Sequence, residues 1–86
     1  MQVHVKFFAQ LRERLGSGRP STLRTGTTVA AVWAGIVAEQ PALAKVPVRF
    51  AVNERYVNDT HKLADGDELA VFPPVSGGSA TDGVGT

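Results

Sequence analysis

The side chains able to do chemistry in this 86-residue chain are few and badly spaced for it. There is no cysteine, which excludes a disulfide scaffold, a thiolate zinc site and a cysteine nucleophile together. His4 and His61 are the only histidines and fall in different segments, with none of the spacings that bind a metal. Asp65, Asp67 and Glu68 resemble a fragment of a calcium loop but lack its glycine spacing and distal glutamate, so a turn is expected there. The glycines form no phosphate-binding fingerprint, and no Ser/His/Asp arrangement stands out. These residues do not describe a self-sufficient enzyme.

The informative segment is Phe72-Pro73-Pro74-Val75-Ser76-Gly77-Gly78. Two prolines fix φ and block a helix, so the chain leaves the preceding strand as a stiff arm. Fully extended, residues 73–78 reach about 20 Å. Gly77 and Gly78 remove every Cβ at the tip, so the main chain can enter a channel too narrow for a side chain. Taken alone, Gly-Gly after proline is more often a stop followed by a linker. The distinction depends on the domain that carries the arm.

That domain is small but sufficient for one core. Apolar residues make up 43% of the chain and charged residues 20%, an ordinary globular mix. No apolar run approaches the roughly 20 residues that span a bilayer. The alternating N-terminus does not read as a signal peptide, so a cytoplasmic protein with no membrane role is expected. Residues 1–55 carry a net +5 and residues 56–86 a net −4, which reads equally as an uneven solvated surface or as a polarity that orients protein partners. Nucleic acid is disfavoured, since the basic residues are scattered and no aromatic ladder accompanies them.

Val3, Val5 and Phe7 alternate as a half-buried strand, leaving Phe8 on the opposite face with His4 and Lys6. Leu11 and Leu15, followed by Gly16, predict a helix of about two turns. Residues 17–20 read as a loop and 21–24 as a second strand. Val29, Val32, Trp33, Ile36 and Val37 form the apolar stripe of a helix over about 29–40, capped by Thr27 or Thr28 and closed by Pro41. Gly35 lies inside it at a cost of about 1 kcal/mol, which close approach to a sheet would explain. Residues 49–53 predict a strand with Phe50 and Val52 inward, 53–55 a turn, 56–57 a short strand, and 68–72 a last strand stopped by Pro73-Pro74. The expected architecture is α+β: one main helix on a mixed sheet of four or five strands, with an extended C-terminal arm. A sheet this small has one helix-covered face, and the other is wet or covered by a partner.

Together these residues resemble the small subunit of molybdopterin synthase, a family of ubiquitin-like sulfur carriers with the β-grasp fold. The resemblance covers residues 1–78. It rests on Val5-Lys6-Phe7-Phe8-Ala9 with Leu11-Arg12-Glu13, on Val52-Asn53, and above all on the block from Asp65-Gly66-Asp67 through Phe72-Pro73-Pro74 to Gly77-Gly78. It implies a domain over 1–75 and a flexible tail over 76–86 that contains the glycine pair. It also implies a chain without catalysis of its own, acting within a sulfurtransferase complex. An adenylating activating enzyme would use ATP on the Gly78 carboxylate, and the adenylate would become a thiocarboxylate. The arm would then enter the large synthase subunit and give sulfur to cyclic pyranopterin monophosphate. Gly78 would be the reactive residue and Gly77 the channel-fitting one. Phe8, Phe72, Pro73, Pro74 and Val75 would form the docking patch, with no cofactor and no metal bound.

In one respect the chain departs from that pattern: residues 79–86 follow Gly78, whose carbonyl is therefore an amide. A processing protease could remove them, they could be a fusion linker, or the domain could have exchanged carriage for binding. Trimming is the outcome expected here, a mobile tail being an easy protease substrate, although nothing physical separates it from the other two. The alternatives are a carrier for thiamin, cysteine or tRNA thiolation, and a ubiquitin-like modifier or interaction module.

Overall fold

The computed structural model describes residues 1–74. The expected tail over 76–86, together with Val75, lies outside the described residues.

Five strands form one mixed sheet in the order β2-β1-β5-β3-β4. They are β1 (Gln2–Phe7), β2 (Gly18–Thr22), β3 (Arg49–Val52), β4 (Arg55–Val57) and β5 (Glu68–Phe72). β1 and β5 pair in parallel at the centre, and the other pairings are antiparallel. The helices are α1 (Gln10–Leu15) and α2 (Val29–Glu39), with a 3₁₀ turn over Pro41–Lys45. Among the described residues no helix is long and apolar enough to cross a membrane.

One face of the sheet is closed. Val3, Val5 and Phe7 of β1, Phe50 and Val52 of β3, and Leu69 and Val71 of β5 point into a core completed by Val29, Val32 and Ile36 of α2. Strand alternation and the helical stripe therefore meet in one layer, as their periods require. Trp33 and Val37 are half-buried at the margin of the stripe, and the Trp33 ring meets Phe50 edge-on at 6.3 Å. Leu43 and Leu63 are also buried. They lie in connections with no period, which is why patterning does not reveal them.

The first turn of α2 is fully capped. Val29 and Ala30 donate to the carbonyls of His61 and Asp59 at 3.0 and 2.8 Å, and Ala31 donates to Thr28 Oγ at 3.2 Å. The loop after β4 thus satisfies the main-chain donors that a helix start leaves open. This fixes the loop, and with it Leu63, beneath the helix.

Three expectations need correction. The second strand is Gly18–Thr22, not 21–24, and it begins inside the segment read as a loop. Pro20 hides it, because proline is a poor strand residue except at an edge. β2 is an edge, and Pro20 lies opposite His4, whose own N–H is donated to Asp67 on the β5 side. Pleating turns the Pro20 nitrogen away from β1, so no ladder bond is lost. Second, Arg55 belongs to β4, and the turn is Asn53-Glu54, both at positive φ (51° and 69°). Such a two-residue turn matches the twist of a hairpin. Third, Gly35 is exposed, and a Cβ there would meet nothing within 4 Å, so no close approach requires it.

Gly18 is the glycine that packing does require. A Cβ on it would lie 2.6 Å from the Val5 carbonyl oxygen of the neighbouring strand. Opposite effects follow for the two glycines in urea denaturation. Gly18→Ala is expected to lose about 1–3 kcal/mol of stability. Gly35→Ala is expected to gain about 0.5–1 kcal/mol by restricting the unfolded chain and favouring helix.

Candidate functional site

Among the described residues, no helix lies over the second face of the sheet. Side chains that alternate away from the core emerge there: His4 and Lys6 from β1, Glu68, Ala70 and Phe72 from β5, and Tyr56 from β4. At the end of β1, Phe8 continues the row. Its N–H donates to the Val71 carbonyl at 3.2 Å, which holds the strand terminus against β5. Because β1 and β5 are parallel, both end at the same rim of the sheet. Phe8 and Phe72-Pro73-Pro74, from opposite ends of the chain, therefore arrive side by side.

They line an open apolar groove of about 510 Å³ with Ala9, Tyr56 and Ala70. Phe8 is 47% exposed and Tyr56 is 82% exposed, large values for aromatic side chains. The Tyr56 ring lies against Phe72, with centroids 5.8 Å apart and planes tilted by 46°. Tyr56 and Pro74 also border a second, more polar cavity of about 560 Å³ that includes Arg49, Asn58 and Asp59. The last described residue of the arm thus leaves the domain between two concave surfaces.

Four residues proposed from sequence for docking, Phe8, Phe72, Pro73 and Pro74, are brought together here. Val75, Gly77 and Gly78 lie outside the described residues. Sequence reasoning missed Tyr56 and Ala70. Tyr56 was legible only as part of a short strand, and its position opposite Ala51 across the hairpin puts it on the open face. Ala70 carries no signal of its own. It forms the groove floor because it is small and lies between Phe8 and Tyr56.

At the opposite end of β5, the β3–β4 hairpin is held by a polar clasp that the sequence shows only as Val52-Asn53 and Asp65-Gly66-Asp67. Asn53 Nδ2 donates to Asp67 Oδ1 at 2.9 Å, Asn53 Oδ1 accepts from Glu68 N at 3.0 Å, and Asn53 N donates to the Glu68 carbonyl at 2.9 Å. Asp67 Oδ2 accepts from Ala64 N at 2.8 Å, closing the turn before β5. This clasp fixes the β3–β4 hairpin, and hence Tyr56, relative to β5. Among the described residues no three His, Asp or Glu side chains come together as a metal site. What the arrangement offers is a shaped apolar surface at the root of the arm.

Known proteins resemble this chain in sequence and fold. The model of the ThiS family matches residues 5–78. The molybdopterin synthase sulfur carrier subunit of Chlamydomonas reinhardtii is 41% identical over 83 residues, covering 91% of this chain and all of that protein. Its counterpart from Escherichia coli is 39% identical over 80 residues, covering 88% of this chain and 99% of that protein. Among solved structures, a putative molybdopterin converting factor subunit 1 from Pyrococcus furiosus superposes with a TM-score of 0.78 at 31% identity, covering 87% of this chain and 99% of that one. A chain from the complex of subunits 1 and 2 of the Helicobacter pylori molybdopterin-converting factor gives a TM-score of 0.65 at 27% identity, covering 91% and 100%. Caldiarchaeum subterraneum ubiquitin, at 23% identity and a TM-score of 0.58 over 91% of this chain and 98% of that one, shares the fold. The architecture is the ubiquitin-like β-grasp.

The groove and the clasp separate in stability measurements. Tyr56→Ala is expected to change the unfolding free energy by less than about 1 kcal/mol, since the ring is largely in water. Asn53→Ala is expected to cost about 1–2 kcal/mol, because it removes two exposed hydrogen bonds and puts alanine at a positive φ. Urea denaturation of both variants checks this.

Proposed function

This chain belongs to the ThiS family, and from that we propose that it is the sulfur carrier of molybdopterin synthase. The observation that carries the reading is the apolar groove at the base of the Phe72-Pro73-Pro74 arm. Its exposed aromatic side chains lie beside Pro73 and Pro74, and the sequence runs on from there to Gly77-Gly78. The relatives named as sulfur carrier subunits, and the Helicobacter pylori assembly of subunits 1 and 2, support the same assignment.

On this reading the reacting group is the main-chain carboxylate of Gly78, freed by removal of residues 79–86. An activating enzyme joins it to the AMP portion of ATP, with loss of pyrophosphate. A sulfur donor displaces AMP and leaves a thiocarboxylate. The large synthase subunit covers the groove, receives the arm and takes the sulfur for cyclic pyranopterin monophosphate. Sulfur is carried on the backbone, so the chain needs neither a thiol nor a catalytic histidine. Its contribution is binding and positioning, which can convert an encounter into an effectively unimolecular reaction.

Aromatic residues at the centre of an interface contribute disproportionately to affinity. Phe8→Ser and Tyr56→Ala are therefore expected to weaken binding to the large synthase subunit at least about tenfold while the domain stays folded. In its own cell, the active chain should end at Gly78 by intact mass and gain the mass of an oxygen-to-sulfur exchange on activation. Gly78→Ala should abolish sulfur transfer. If a chain made uncleavable at Gly78-Ser79 and retaining Thr86 still supports molybdopterin synthesis, the reading is wrong. An isopeptide from Gly78 to a target lysine would move the chain to the modifiers.

A further inference from the structure

Beside the groove lies a cavity of different chemistry. It measures about 340 Å³, and His4, Lys6, Phe8, Arg12, Ser17 and Gly18 contribute most of its wall. Three of these side chains are basic, and no carboxylate lines the cavity. Glu68 approaches from the β5 side, where its Oε2 lies 2.9 Å from Lys6 Nζ, and both side chains remain open to solvent. Among the described residues, the His4 and Arg12 side chains make no hydrogen bond or ion pair. Gly18 keeps the space clear, since a Cβ there would sit 3.2 Å from His4 Nε2.

We infer that this cavity receives a carboxylate side chain of the protein that docks on the adjoining groove. The inference rests on the carrier reading above and specifies the chemistry of its partner. Phe8 lines both spaces, so a protein covering Phe8 must pass over the cavity mouth. An apolar groove supplies area but little orientation, and charged groups at the rim of an interface fix register and exclude wrong partners. Lys6 and Arg12 come from β1 and α1 and present their charges on the side of Phe8 away from Tyr56. An acidic side chain seated there would prevent the partner from rotating about the aromatic pair. Arg12 can hold a carboxylate through two parallel N–H donors.

The main chain argues for a carboxylate over a phosphate. Phosphate sites usually present several free backbone N–H groups. Here the His4 amide is donated to Asp67, Phe7 to Ser17, Phe8 to Val71 and Arg12 to Ala9. The cavity's charged donors are the Lys6 and Arg12 side chains, which suits a single two-oxygen anion.

The test uses the processed chain and the large synthase subunit encoded by the same genome, with association and dissociation followed over a range of salt. Arg12→Gln and Lys6→Gln are expected to weaken binding about tenfold and to flatten its salt dependence, with Arg12→Lys recovering part of the loss. Arg24→Gln, an exposed charge outside the cavity, serves as control and should bind as the parent does. Thermal melts confirm that each variant is folded. If Phe8→Ser weakens binding while Arg12→Gln and Lys6→Gln behave like Arg24→Gln, the carboxylate inference is overturned and the carrier reading stands. If the parent chain does not bind the subunit, or Phe8→Ser binds equally well, both fail. A second arm titrates the isolated chain with ATP and with inorganic phosphate. Saturable shifts of the Ser17 and Gly18 amides below millimolar concentration would make the cavity a phosphate site and overturn the inference.

Discussion

The parallel pairing of β1 with β5 is the constraint on which the rest of the molecule depends. Antiparallel strands would place the end of β1 beside the start of β5. Parallel strands end together, so Phe8 and Phe72 share one rim, and the Phe8 amide is tied to Val71 across the pair. A parallel pair cannot be made with a tight turn and needs a long crossover. Here the connection is nearly the whole domain. α2 lies within it and covers one face of the sheet, leaving the other face to the groove.

That division explains how so small a chain presents an exposed aromatic surface without losing its core. The covered face carries Val3, Val5, Phe7, Leu69 and Val71, all essentially inaccessible, and α2 seals them. The open face contributes little to stability and is available for binding. The Lys6–Glu68 pair there is solvated, and such pairs are typically worth no more than about 1 kcal/mol. What the open face does require is fixed geometry. The Asn53–Asp67–Glu68 clasp supplies it by fastening the hairpin that holds Tyr56 to the start of β5.

The role proposed above, with cargo carried on the backbone, would place unusual demands on a sequence. It needs no side-chain nucleophile, base or metal ligand, so familiar catalytic motifs are uninformative. Its functional signal is a set of omissions and stiffeners: two prolines, two glycines and a surface left uncovered. The basic cavity next to the groove follows the same logic, since it recognises without reacting.

The alternation of Val3, Val5 and Phe7, the stripe from Val29 to Val37 and the Asp-Gly turn before β5 were legible from residue order, because each is set by contacts within a few positions. So was the block through Phe72-Pro73-Pro74, whose residue types restrict the chain wherever they occur. β2 was displaced in the reading because Pro20 is acceptable only at an edge, and edges exist only once strands are ordered in a sheet. Gly18 and Gly35 look alike in sequence, yet one faces a neighbouring carbonyl oxygen and the other open solvent. Tyr56, Ala70 and the His4–Lys6–Arg12 cavity likewise arise from residues remote in sequence. Local order encodes periodicity and stiffness, whereas proximity across strands comes from burying the apolar faces against one another. The site of this protein is built from that proximity.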